Sequence, residues 1–178
     1  MISSEKPQNA IVIAVLVVAL ISGASIYSTA NYYSGTYILV RYLDVEMVGL
    51  EITNMNTTDL DVNPIISLSF RFEAPSVAAG EARLSSFRCT VLLNGDELSY
   101  ISLKKTIPQD RRTLTSTYNE TFTVSEVIDT NIDKWTIYNA SQSGEWFFLI
   151  EMMYFYYVFE SRAVSFRPMT YDSVGFIT

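Results

Sequence analysis

Apolar positions in this chain follow two rhythms, and the change between them divides the molecule. Residues 10–27 (AIVIAVLVVALISGASIY) are apolar almost without interruption, and no Asp, Glu, Lys or Arg occurs from 7 to 40. As a helix, this segment would be about 27 Å long, close to the roughly 30 Å hydrocarbon core of a bilayer. A helix on the outside of a soluble domain needs a polar face, and this one has none. The segment therefore reads as a membrane span. From Tyr37 onward the period shortens to two. Leu43, Val45 and Met47 alternate with Asp44 and Glu46, and Leu50 and Ile52 continue after Gly49, which predicts a strand with a bulge or bend.

Further strands follow by the same rule. Ile66, Leu68, Phe70 and Phe72 alternate with Ser67, Ser69 and Arg71, and Phe87, Cys89, Val91 and Leu93 alternate likewise. Asn94-Gly95-Asp96 is a hairpin turn signal, returning through residues 98–103. Residues 113–124 form a Thr-rich strand. Thr123-Val124-Ser125-Glu126 matches a capping box, and Val127 or Ile128, Ile132, Trp135 and Tyr138 follow at helical spacing, which predicts one helix ending before Ser141-Gln142-Ser143-Gly144. Residues 146–159 (WFFLIEMMYFYYVF) are apolar or aromatic except for Glu151. They are too few to span a bilayer, and their aromatic content favours a long central strand with two apolar faces. A last strand covers 163–167, stopped by Pro168, with a short one near 174–177. Seven or eight strands at sandwich spacing, one short helix and no βα alternation make the chain mainly β: an N-terminal transmembrane helix followed by an antiparallel β-sandwich. The expected division is a cytoplasmic tail over 1–9, a transmembrane signal anchor over 10–33 and one extracytoplasmic domain over 34–178.

Composition narrows the function. The chain of 178 residues has no His and one Cys, and 12 Lys plus Arg stand against 19 Asp plus Glu. Without imidazole there is no Ser-His-Asp or Cys-His arrangement and no His-containing metal site. Cys89 alternates with large apolar residues and reads as a buried small hydrophobe. The net charge of −7 argues against nucleic acid as a partner. No cofactor, catalytic residue or metal ligand is expected. The Asp59-Leu60-Asp61 carboxylates fall short of a Ca²⁺ ligand set, Asp96, Glu97, Lys104 and Lys105 read as an ordinary turn and strand end, and Arg111-Arg112 reads as a loop tip.

The N-terminal segment has a rival reading as a cleaved signal peptide, because Ser22-Gly23-Ala24 offers small residues in the A-x-A-like pattern. Apolar character resumes through Ile26 and Tyr27, and Tyr32, Tyr33 and Tyr37 follow where an interfacial aromatic belt would lie, which favours an anchor. Lys6 precedes the span and Arg41 is the next cation, so the positive-inside rule exports the larger part, as suits a prokaryotic cell surface. Asn56, Asn119 and Asn139 open N-x-[ST] sequons on that side and are the candidate glycosylation sites.

The order of features resembles the late-embryogenesis-abundant, water-stress-type β-sandwich family, related in fold to fibronectin type III and immunoglobulin-like domains. The resemblance rests on Ile52-Thr53-Asn54-Met55-Asn56, on Val91-Leu92-Leu93-Asn94-Gly95 and on Ile107-Pro108, and covers residues 40–125. It departs at Asn54-Met55-Asn56, where the family has Asn-Pro, and it implies no catalytic residues. The leader, apolar helix and β-rich head are also similar to archaeal type IV pilin-like subunits, although Glu5-Lys6-Pro7 lacks the small residue after a basic one that the prepilin peptidase site needs.

The function expected is that of a non-enzymatic, membrane-anchored, protein-binding subunit of a membrane or envelope complex. Ten of the 24 aromatic residues lie between Trp135 and Phe159, and Trp146, Phe148, Tyr154, Tyr156 and Tyr157 are the candidate interface residues. The competing readings are a sandwich that binds a lipid or other apolar ligand, and a pilin-like filament subunit.

Overall fold

In the computed structural model, which describes residues 5–56, 61–99 and 101–172, helix α1 spans Glu5–Arg41. Its 37 residues make a rod about 55 Å long. Residues 8–30 are exposed throughout, so this part of the helix stands clear of the β domain. Its last turns do not. Gly35, Thr36, Leu39 and Val40 are buried, at the i, i+4 spacing of a single helix face. The helix thus runs well beyond the expected end at residue 33. The aromatic and β-branched run around Tyr37 resembles strand, but Leu39 and Val40 have the domain to pack against, and that contact extends the helix.

Two antiparallel sheets follow. The first, in the order β1-β2-β7, is built from β1 (Asp44–Thr53), β2 (Ile65–Glu73) and β7 (Asn119–Val127). The second is centred on β3 (Ala82–Leu93) and β8 (Phe147–Val158), with β9 (Ser161–Asp172) beyond β8. Three short strands, β4 (Asp96–Glu97), β5 (Leu103–Thr106) and β6 (Thr113–Leu114), share the other edge of β3. The chain is mainly β, as its alternation predicts. The expected irregularity near Gly49 is present as a register shift between Met47 and Gly49. The Asn94-Gly95 turn also forms, with φ of 54° and 91°, the pair of positive values that a tight hairpin requires.

The inner faces meet through aromatic rings. Phe87 of β3 lies 5.6 Å from both Phe70 and Phe72 of β2, and Phe72 lies 6.0 Å from Phe122 and from Tyr154. Leu50, Ile52, Leu68, Leu84, Val91 and Ile150 fill the space around them. Each such side chain contributes about 1.5–3 kcal/mol on burial, so this layer is the main source of stability.

Four local expectations are corrected. Thr123-Val124-Ser125-Glu126 does not cap a helix but runs in β7, opposite Ser69, Leu68, Ser67 and Ile66. Inward Phe122 and Val124 and the cross-strand hydroxyl pairs Ser67–Ser125 (2.8 Å) and Ser69–Thr123 (2.7 Å) outweigh the local motif. The helix starts later, as α2 (Asn131–Ser143), and runs past the expected end before Ser141 to Gly144, whose φ of 72° lets its N–H donate to the Ala140 carbonyl. Pro168 does not stop β9. That strand is a sheet edge, where a missing N–H need not break a ladder. Residues 98–103 bury Leu98 and Leu103 without forming a continuous strand, and 113–124 is divided between the two sheets by a turn in which the Tyr118 N–H donates to the Thr115 carbonyl. The short strand expected near 174–177 lies outside the described residues.

Candidate functional site

Residues 8–41 of α1 are long and apolar enough to cross a membrane, with a mean hydropathy of 2.6 over the most apolar window and none of that window buried. Tyr27, Tyr32 and Tyr33 are exposed near the domain end of this stretch. Here the helix meets two loops. The first precedes β3. A Cβ on Gly35 would sit 1.7 Å from the Ala79 carbonyl oxygen, and one on Gly80, at φ 132°, would sit 2.4 Å from the Thr36 nitrogen. Only glycine at both positions allows the two backbones to approach this closely. The Thr36 hydroxyl accepts a hydrogen bond from the Glu81 N–H at 3.1 Å and is fully buried. The second loop is the β8–β9 turn, whose Phe159 ring lies 4.7 Å from Tyr33 and 6.3 Å from Tyr32.

The other unusual surface is the outer face of the larger sheet. Register places Arg88, Met153 and Phe166 in one row across β3, β8 and β9, and Ser86, Phe155 and Val164 in the next toward the β8–β9 turn. Arg83, Tyr157 and Arg162 form the row closest to that turn. Phe166 is 54% and Val164 53% exposed. Lys104 of β5 sits directly opposite Arg88. Two cations placed so are destabilising, and no carboxylate among the described residues makes a salt bridge with either. Arg162 lies over the Phe155 ring at 4.6 Å, and Arg88 contacts the Met153 sulfur at 3.4 Å. Two hollows of about 390 and 440 Å³ open on this face, sharing Arg88 and Ser102.

The five aromatic residues proposed from sequence separate here. Phe148 and Tyr154 are core residues, buried between the sheets, because even positions of β8 point inward. Trp146 is half-buried and stacks on Phe148 at 6.2 Å, and Tyr156 is half-buried beside Tyr154. Only Tyr157 is exposed on the outer face. The residues missed, Phe155, Val164, Phe166, Arg83, Arg88 and Arg162, share no local motif. Odd-numbered outward positions of β8 were visible in the alternation, but their neighbours are set by pairing between distant strands.

Asn56, Asn119 and Asn139 are all exposed. Asn139 lies within α2 rather than in a loop, Asn119 opens β7, and Thr57 and Thr58 of the first sequon lie outside the described residues, as do Asp59 and Leu60. Among the described residues no three His, Cys, Asp or Glu side chains gather as metal ligands. Arg111 is not a free loop tip. It pairs with Glu120 and lies over the Phe122 ring at 4.4 Å, while its carbonyl accepts from the Tyr118 hydroxyl at 2.9 Å. Burial, reinforced by Glu120 and opposed by Arg111, raises the Tyr118 pKa. Burial likewise pushes the Cys89 thiol up to about 12, as befits a core residue.

No family model and no curated protein matches the chain. Solved structures that resemble it include the Northeast Structural Genomics Consortium target SoR45, at 13% identity and a TM-score of 0.48, with 76% of this chain and 89% of that one covered. Another is a crystal structure of a protein from Archaeoglobus fulgidus, at 11% identity and a TM-score of 0.41, covering 72% of this chain and 98% of that one. Likeness at this level assigns no family, and it confirms neither the late-embryogenesis-abundant nor the pilin resemblance.

Proposed function

We propose that the protein is a non-enzymatic, single-pass membrane protein whose β-sandwich lies outside the cytoplasm and binds a protein partner through the outer face of its larger sheet. The observation that carries this reading is the Arg88–Lys104 pair beside exposed Phe166 and Val164. In a chain of net charge −7, a like-charged cross-strand pair next to apolar surface calls for an acidic partner with an apolar centre. Arg162 extends the same surface toward the helix junction, while Arg83 in that row pairs with Glu81 at 3.8 Å. The retained anchor and the export of the domain rest on the uninterrupted apolar helix and on Lys6 preceding it.

The test is purification of the tagged full chain from detergent-solubilised native membranes, beside Arg88→Glu and Phe166→Asp variants. The expected result is a stoichiometric partner that is lost in both variants and weakened by salt. A monomer without a partner, or capture indifferent to both substitutions, would contradict the reading.

A further inference from the structure

We infer that the turn joining β8 and β9 is a membrane-contacting element, with Phe159 seated among the lipid headgroups beside the anchor. This rests on the reading of α1 as a bilayer span. With residues 10–27 in the hydrocarbon core, the Tyr33 Cα lies about 9 Å beyond its edge, and helical side chains tilt back toward the N-terminus. The headgroup region is roughly 5–8 Å thick on each side, so the Tyr33 ring falls within it. The Phe159 ring, 4.7 Å away, shares that depth. The Gly35–Gly80 contact and the Thr36–Glu81 hydrogen bond hold the helix against the domain just above this point, which fixes the height of the turn.

The backbone supplies a second observation. Val158 pairs with Ser161, leaving Phe159 and Glu160 as a two-residue turn, and Phe159 has φ 55°. The first position of such a turn favours glycine when it alone has positive φ, and a bulky residue there costs about 1–3 kcal/mol. The ring is nevertheless 50% exposed, so contact with the tyrosines does not use all of its surface. A bilayer interface accepts an aromatic ring at this depth while leaving Glu160 in water. The element thus makes a second contact with the membrane and limits how far the sandwich can tilt about its anchor.

The full chain is reconstituted in phosphatidylcholine vesicles with a nitroxide at Val17→Cys, Phe159→Cys or Asp96→Cys in turn, the last at the far end of the larger sheet. Accessibility to oxygen and to a water-soluble nickel chelate is measured. Expected are a hydrocarbon signature at 17, an interfacial one at 159 and an aqueous one at 96. Aqueous signals at both 159 and 96, with 17 in hydrocarbon, overturn this inference and leave the span intact. An aqueous signal at 17 overturns the span and the inference together. A label at Glu160→Cys with Phe159 intact controls for perturbation by the label. Adding Phe159→Gly, which suits the positive φ, should increase its chelate accessibility severalfold, and no change overturns the inference.

Discussion

The two sheets bury similar residues on their inner faces and differ in what they turn outward. Across the smaller sheet the outward rows carry Asp44, Glu46, Glu51 and Glu73, the Ser67–Ser125 and Ser69–Thr123 hydroxyl pairs, and Arg71 bonded to Glu46 at 2.5 Å. Hydroxyls satisfy each other there, the cation has a carboxylate, and the exposed large apolar side chains are the valines Val48 and Val127. The larger sheet instead turns out Phe155, Val164 and Phe166 beside Arg88, Lys104 and Arg162. Burial tells the sheets apart poorly, because both have one hidden face. The outward rows tell them apart well, since only the larger sheet sets two cations, Arg88 and Lys104, directly opposite each other on a face with exposed Val164 and Phe166.

The largest effect should come where the sheets are alike. Phe72→Ala removes a ring that meets Phe87, Phe122 and Tyr154, and should cost about 3–5 kcal/mol in a denaturant titration. Next comes the helix junction. Gly35→Ala drives a Cβ into the Ala79 carbonyl and should cost about 1–3 kcal/mol, read as earlier thermal unfolding in detergent and faster proteolysis around residues 76–81. On the outward faces, Phe166→Asp and Thr123→Asp should each cost about 1 kcal/mol, while partner capture falls for the first alone. Equal loss of capture for both would erase the distinction between the faces. Smallest of all, Glu46→Gln breaks an ion pair whose side chains are both about half exposed, and should cost less than about 1 kcal/mol, and less still at high salt. As a check on the inner face, Cys89 should resist maleimide at neutral pH until the domain unfolds, since burial hides the thiol and disfavours its thiolate.

Much of this fold is legible in single strands. Ile66, Leu68, Phe70 and Phe72 announce an inner face by alternation, Asn94-Gly95 announces its turn, and residues 147–158 form the central strand that their aromatic content implies. Sequence and structure part where a local signal meets a distant one. The Thr123–Glu126 capping pattern lost to pairing with β2, and Pro168 was harmless because β9 is an edge. The candidate site was less legible, because it is a property of register. Nothing near Arg88 places it beside Phe166, 78 positions away, until β8 brings β3 and β9 together through Met153. Phe148 and Tyr154 have the chemistry of interface residues, and strand parity turns them inward.

The central claim, that the outer face of the larger sheet is the partner-binding surface of an anchored protein, is tested most directly by site-specific photocrosslinking in native membranes. A photoreactive residue at position 166 should give one discrete adduct with an acidic protein, and the same residue at position 123 should give none. Adducts of equal yield from both positions, or none from position 166, would contradict the account.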